Sequence, residues 1–248
     1  MEWRAEEYDV VAKPHGPWAE QVLSRVELRG DETVLDAGCG TGVLTELVVD
    51  RVPDGRVIGT DASAAMLEQA RRNLGPRVEL IHSDLVTLEL SEPVDVVVSS
   101  AVFHWIGDHQ RLFERLHAAL KPGGRLEAQC GGQGNIAEVE RAVESLAGDE
   151  RFAPYLRTER QAWNYASIGD TELRLARAGY EHCRAWIEPW PVMPRDARRY
   201  LATFILPWHL ERLPDDRHDA FVDAVLGSSP RPFTANYMRL NISARRPG

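Results

Sequence analysis

The sequence predicts an α/β fold built on a doubly wound, mostly parallel sheet, and three observations carry that expectation. Short apolar strands alternate with helix-spaced apolar stretches across the first 130 residues. A turn with glycine at every second position follows the first strand, and acidic residues stand at the ends of the strands after it. Beyond residue 130 the alternation gives way to longer aromatic-rich stretches, which are expected to be insertions.

The first strand, Val34-Leu35-Asp36-Ala37, empties into Gly38-Cys39-Gly40-Thr41-Gly42, and Val43, Leu44, Leu47 and Val48 then fall at helical spacing. Glycine lacks Cβ, so alternating glycines let the backbone take positive φ and approach a ligand closely. The spacing is Gly-x-Gly-x-Gly. In the dinucleotide fingerprint a third glycine would occupy the place held here by Val43.

The second strand, Arg56 to Asp61, ends in an acid nineteen positions after Gly42. In doubly wound sheets a carboxylate there meets both ribose hydroxyls; the alternative is that Asp61 caps the next helix, expected over residues Ser63 to Leu74 with Met66, Leu67, Ala70 and Leu74 on its apolar face. A third strand, Arg77 to Ile81, runs into Ser83-Asp84-Leu85, where a carboxylate suits an adenine amino group. A fourth, Val94 to Ser99, leads to Ser100-Ala101-Val102-Phe103-His104-Trp105, and a fifth, Arg125 to Gln129, follows an expected turn at Lys121-Pro122-Gly123-Gly124.

Taken in order, the Asp-x-Gly-x-Gly-x-Gly turn at 36 to 42, Asp61, Asp84 and the Leu-Lys-Pro-Gly-Gly turn at 120 to 124 resemble the class I S-adenosylmethionine-dependent methyltransferases. Within that family the chain is similar to the trans-aconitate methyltransferase group, through Trp3, Tyr8, the stretch Phe103-His104-Trp105-Ile106-x-Asp108-His109, and the tail Arg239-Leu240-Asn241-Ile242-x-Ala244-Arg245-Arg246. The resemblance implies a Rossmann-like seven-stranded sheet with an antiparallel final strand and helical lid insertions. It implies S-adenosyl-L-methionine as methyl donor and S-adenosyl-L-homocysteine as product. Asp36, Gly38, Gly40 and Gly42 would hold the methionyl part, Asp61 the ribose and Asp84 the adenine, with Leu85 and Met66 over its faces; Ala62 and Ser99 complete the cofactor residues. Trp3, Tyr8, His104 and Trp105 would face the acceptor. Phe103 shares with these aromatics the alternative of plain core packing. Electron-rich rings beside a sulfonium would add cation–π attraction of roughly 0.5 to 2 kcal/mol.

The implied division is an amino-terminal helical lid segment at 1–30, a cofactor core at 31–130, further α/β elements at 131–235 and a final strand at 236–248. Two lid insertions are expected, at about 133–169 and 195–228. The first holds Ile136, Val139, Val143 and Leu146 at helical spacing; the second is expected to contain two helices, one bearing Tyr200, Leu201, Phe204, Ile205 and Trp208. A helix over Thr171 to Arg177 precedes a strand around Cys183 to Ile187, which should pair antiparallel with the closing strand. In that closing strand Met238, Leu240, Ile242 and Ala244 alternate with Tyr237, Arg239, Asn241 and Ser243.

Composition narrows the function. With 248 residues and 44% hydrophobic content the chain suits one α/β domain with insertions. A formal charge of −9 argues against a partner held by phosphate neutralisation, so no nucleic acid is expected. No signal peptide or membrane span is visible, and a cytoplasmic monomer or weak homodimer acting on a small-molecule acceptor is expected. Cys39, Cys130 and Cys183 form neither a disulfide framework nor a metal-ligand spacing.

For the chemistry, a carboxylate acceptor is already ionised near neutral pH and needs hydrogen bonds and a cation to orient it, for which Arg157, Arg160, Arg198, Arg199 and Arg239 are all eligible. A phenol, alcohol or amine acceptor would instead use a base, and His104 stands where one would be placed. The alternative for His104 is a loop histidine bonded to backbone. An NAD-dependent oxidoreductase is the reading from a different class, opposed by the glycine spacing and by Asp84.

Overall fold

The structure is a computed structural model that describes residues 16–156 and 163–248. Trp3 and Tyr8, and with them Arg157 and Arg160, lie outside the described residues.

Seven strands form one sheet: β1 (Thr33–Ala37), β2 (Arg56–Asp61), β3 (Glu79–His82), β4 (Val94–Ser100), β5 (Leu120–Gly131), β6 (Glu181–Val192) and β7 (Ala235–Arg245). Their order is β3-β2-β1-β4-β5-β7-β6. The first five are parallel, and β7 enters antiparallel between β5 and β6. The strand order reverses between β1 and β4, so the crevice for a ligand opens over their carboxyl ends.

Both sheet faces are covered, which is why the central strands are apolar on successive residues. Leu35, Val97, Leu126, Ala128, Leu240 and Ile242 share one core with Leu112, Phe113 and Leu116 of α4 (His109–Ala119) and Leu175 of α6 (Ile168–Arg177). Val34, Val96 and Val98 face the other way, against Ala19, Val22 and Leu23 of α1 (Gly16–Leu23) and Leu44 and Val48 of α2 (Val43–Arg51). α3 (Ala64–Leu74) completes the β2–β3 crossover with Ser63 as its cap, the Ser63 hydroxyl accepting from Met66 N–H at 3.3 Å.

A third core lies above the strands' carboxyl ends. It joins Ile136, Val139 and Ala142 from around α5 (Ala137–Ser145), Phe221, Val222 and Val225 of α7 (Asp215–Gly227), and Trp18, Trp163, Tyr200, Phe204 and Tyr237. Residues from both insertions thus pack into one apolar body. Of the segment expected as a lid at 1–30, the described part lies mainly on the sheet: Ala19, Val22 and Leu23 cover strands, and Trp18 reaches the upper core.

Three local expectations are corrected. Lys121-Pro122-Gly123-Gly124 is the irregular start of β5, with a register shift opposite Val94–Val96 and Gly123 at φ +77°, because Gly123 N–H finds acceptors in the chain's own tail at Arg246 and Pro247. β6 continues past Ile187 to Val192 through Pro189 and Pro191, which an edge strand tolerates because it lacks a partner on one side. The single helix expected around Tyr200 to Trp208 is broken into Ala197–Tyr200, a π-helical turn at Leu201–Ile205 and Pro207–Leu210. Proline 207 has no N–H to continue the ladder, and Leu206 N–H reaches back to Leu201 O at 2.8 Å. The closing strand alternates as expected, with Leu240, Ile242 and Ala244 in the main core and Arg239 and Asn241 buried on the other face.

Candidate functional site

The turn after β1 has the backbone its glycines require: φ is +82° at Gly38, +54° at Gly40 and +97° at Gly42. The three differ in what surrounds them. A Cβ on Gly38 would lie 2.5 Å from Val102, and one on Gly42 would lie 2.8 Å from Leu74, whereas one on Gly40 would meet nothing within 4 Å. Gly38 and Gly42 therefore serve close packing, and Gly40 leaves open space at the mouth of the crevice. Gly38 and Cys39 N–H both donate to Thr60 O at 2.8 Å, tying the turn to β2.

Two acids converge on this turn. Asp36 is 1% exposed; its Oδ2 accepts from the Thr45 hydroxyl at 2.7 Å and its Oδ1 has no partner. Burial raises its pKa to about 7, opposed by the Thr45 hydrogen bond, while the charge of Asp61 adds to the rise. Asp61 accepts from Gly40 N–H and from Ser63 N–H, each at 2.9 Å. Burial also raises the Asp61 pKa, against backbone N–H groups that stabilise the charge. The helix cap is Ser63, so the capping alternative accounts for only one of the two Asp61 hydrogen bonds.

Around them, Asp84 is exposed after β3, its Oδ1 accepting from Val86 N–H at 3.1 Å. Leu85 and Met66 are buried in the protein itself. Ala62 is exposed beside Asp61, and its carbonyl meets His82 Nε2 at 3.0 Å. Ser99 is buried and its hydroxyl donates to Ala37 O at 2.7 Å, tying β4 to β1 beneath the turn. Ala101, just past β4, holds φ +62° without being glycine, a strained conformation where the chain turns into the site.

The Phe103–Trp105 turn splits by role. Phe103 is core, edge-on to Phe113 at 6.0 Å. His104 lies between Trp105 and Tyr165, with ring centroids at 5.0 and 5.9 Å. Its Nδ1 accepts from Gly131 N–H at 3.2 Å. In the neutral ring this places the proton on Nε2 and engages the Nδ1 lone pair with the backbone.

The arrangement suits a cationic nucleoside rather than a phosphate ligand. Asp36 and Asp61 set carboxyl groups beside a turn with open space at Gly40, and the orphaned Asp36 Oδ1 lacks a donor. No group of His, Cys, Asp and Glu able to hold a metal occurs among the described residues. No helix of the described residues is long and apolar enough to cross a membrane.

Sequence reasoning placed Arg239 and Asn241 on one face of the closing strand but passed over their partners on β5 and α1, Gln129 and Gln21. Gln129 donates to Gln21 Oε1 at 2.6 Å and to Asn241 Oδ1 at 3.0 Å, and accepts from Arg239 Nε at 3.1 Å. Of the arginines considered, Arg198 is exposed and paired with Asp219 and Asp223, Arg199 is exposed, and Arg239 is buried. The alternation of Glu127 and Gln129 with Leu126, Ala128 and Cys130 is the signal that could have revealed this polar face.

Comparison with known proteins agrees with this geometry. A family model described as a methyltransferase domain matches residues 34–124. A trans-aconitate 2-methyltransferase of Azoarcus sp. (strain BH72) is 41% identical over 240 residues, covering 90% of this chain and 87% of that protein. One from Methylobacterium nodulans is 34% identical over 180 residues, covering 72% of this chain and 69% of that protein. Among solved structures, the phosphoethanolamine N-methyltransferase 2 of Haemonchus contortus, in complex with S-adenosyl-L-methionine, superposes with a TM-score of 0.62 at 19% identity, over 98% of this chain and 57% of that one. At that identity the likeness concerns the fold.

Proposed function

The chain belongs to the S-adenosyl-L-methionine-dependent methyltransferases, as a relative of the trans-aconitate 2-methyltransferases, and on that premise we propose that it O-methylates a carboxylate of a small organic acid of the trans-aconitate kind. The oxidoreductase alternative is thereby set aside.

The geometry supports the following reading of the cofactor residues. Asp36 and the Gly38 to Gly42 turn would hold the methionyl part, with the free Asp36 Oδ1 as acceptor for its ammonium and Gly40 leaving room for its approach. Asp61 would take the ribose hydroxyls and the exposed Asp84 the adenine amine. Met66, Leu85 and Ala62 would line the adenine end; Ser99 would support the turn from below through Ala37. When bound, S-adenosyl-L-methionine supplies an electrophilic methyl for in-line transfer. The chain's contribution is to position the acceptor, exclude water and hold the reacting oxygen in line.

One observation favours a carboxylate over a phenol: the bond from Gly131 N–H to His104 Nδ1. A base would need the imidazole lone pair that this bond uses. A donor at Nε2 suits an acceptor that is already an anion, which it orients without having to deprotonate.

Exchange of His104 tests this. His104→Leu is expected to lower kcat with an acid acceptor about 10- to 100-fold, the worth of one hydrogen bond to a charged group, with calorimetric affinity for S-adenosyl-L-homocysteine unchanged. His104→Gln, which keeps a donor, is expected to recover most of that rate. Equal inactivity of the two variants would restore the base.

A further inference from the structure

Arg239 is 1% exposed, among the largest fully buried side chains of the protein. Its guanidinium lies over the Trp18 ring at 4.0 Å, Nε donates to Gln129 Oε1 at 3.1 Å, and Nη2 is buried with no partner. Among the described residues no carboxylate lies within ion-pair distance of it. The phenols of Tyr165, Tyr200 and Tyr237 face it instead, the last two with their oxygens 2.8 Å apart. Burial lowers the Arg239 pKa, while Cys130 and the three phenols raise it.

A buried guanidinium with no counter-ion is strongly unfavourable, and an apolar side chain of similar volume would fill this core without that cost. An orphaned N–H beside a stacked, hydrogen-bonded guanidinium is the donor set that a carboxylate completes. Gln129 holds the group in place and is itself fixed by Gln21 and Asn241.

The position fits the acceptor side of the crevice. Arg239 pairs across the sheet with Gly131, the residue whose N–H holds His104. β7 stands two strand spacings, about 10 Å, from β4, and so beside the cofactor crevice rather than in it.

We propose that Arg239 anchors a carboxylate of the acceptor other than the one methylated, so that the acceptor carries at least two carboxylates. This rests on the carboxylate reading above and adds to it. An oxygen gripped by a buried guanidinium has its lone pairs drawn to the cation and is a poorer nucleophile, so the methyl goes to the carboxylate presented beside His104. Gln129 is a positioning residue, acting through the Arg239 side chain.

Three acids on one carbon skeleton provide the test: trans-aconitate with three carboxylates, trans-glutaconate with two and crotonate with one. For the unmodified protein, KM for crotonate is expected to exceed that for trans-glutaconate at least about 25-fold, which is about 2 kcal/mol at 1.4 kcal/mol per factor of ten. Arg239→Gln should erase that preference by raising KM for the diacid, with kcat changed less than about threefold and the affinity for S-adenosyl-L-homocysteine retained. Gln129→Glu, close in volume, gives Arg239 an internal counter-ion at the cost of the amide donors to Gln21 and Asn241; with an unchanged circular-dichroism spectrum showing that it folds, it should raise KM for the diacid in the same way. Calorimetric binding of trans-glutaconate to protein loaded with S-adenosyl-L-homocysteine should weaken in parallel. Equal KM for diacid and monoacid in the unmodified protein, or an undiminished preference in Gln129→Glu, overturns the anchor while leaving carboxylate methylation intact. If none of the three acids is methylated and phenols are, the carboxylate reading itself fails, and the anchor with it.

Discussion

Asp36 joins two demands at one residue, since it is buried without a cation and its remaining oxygen awaits a donor. Its pH behaviour follows. Below pH 3.8 the group is neutral in both folded and unfolded chains; between there and about 7 the folded protein keeps a proton that the unfolded chain releases. The stability contributed by this group is therefore full at acid pH and is lost as pH rises through that window, at up to about 1.4 kcal/mol per pH unit. Chemical denaturation of ligand-free Asp36→Asn is expected to show greater stability than the unmodified protein at pH 8, the gap closing toward pH 4. Affinity for S-adenosyl-L-methionine should run the other way, rising with pH through about 7 as the carboxylate ionises, and Asp36→Asn should flatten that rise. At Asp61 the expectation is simpler. Asp61→Ala removes the acceptor for Gly40 and Ser63 N–H as well as the proposed ribose contact, and should weaken cofactor binding by about 1 to 3 kcal/mol; unchanged calorimetric affinity would remove that role.

At the scale of elements, the β1 turn and the segment after β4 are built against each other, because Gly38 leaves room for Val102. Gly38→Ala brings both a left-handed alanine and a clash, so a marked fall in Tm is expected. Gly40→Ala carries only the conformational cost, about 1 to 2 kcal/mol, and should fold while losing cofactor affinity, since its methyl points into open space. Ala101 offers the opposite case: Ala101→Gly relieves the φ +62° strain and should raise Tm by an amount corresponding to about 1 kcal/mol. These elements were readable in the sequence because their demands are local. Glycine at every second position, and an acid nineteen residues on, are consequences of one strand-turn-helix unit and the next strand. The break at Leu201 to Pro207 was less readable, because apolar spacing alone does not separate one helix from three short pieces, although Pro207 itself marked a limit.

Over the whole molecule, residues from both insertions pack into one apolar body, which Trp18 of α1 and Tyr237 of β7 join edge to face. The residues proposed for the cofactor side lie close in sequence, and their turn, strand ends and helix were legible from it. The residue proposed for the acceptor side was not: five arginines looked equivalent, and only tertiary structure shows that Arg198 is paired with Asp219 and Asp223 while Arg239 Nη2 has no hydrogen-bond partner. Gln129 and Asn241, which meet from strands 112 positions apart, carried no local signal beyond strand alternation. The most direct measurement is the chemical nature of the methylated product. Incubation with trans-aconitate and methyl-labelled S-adenosyl-L-methionine should give a methyl ester, which releases its label as methanol on mild alkaline treatment. A labelled product that survives alkali, as an ether or an N-methyl group does, formed from phenols or amines while the acid is untouched, would contradict carboxylate methylation.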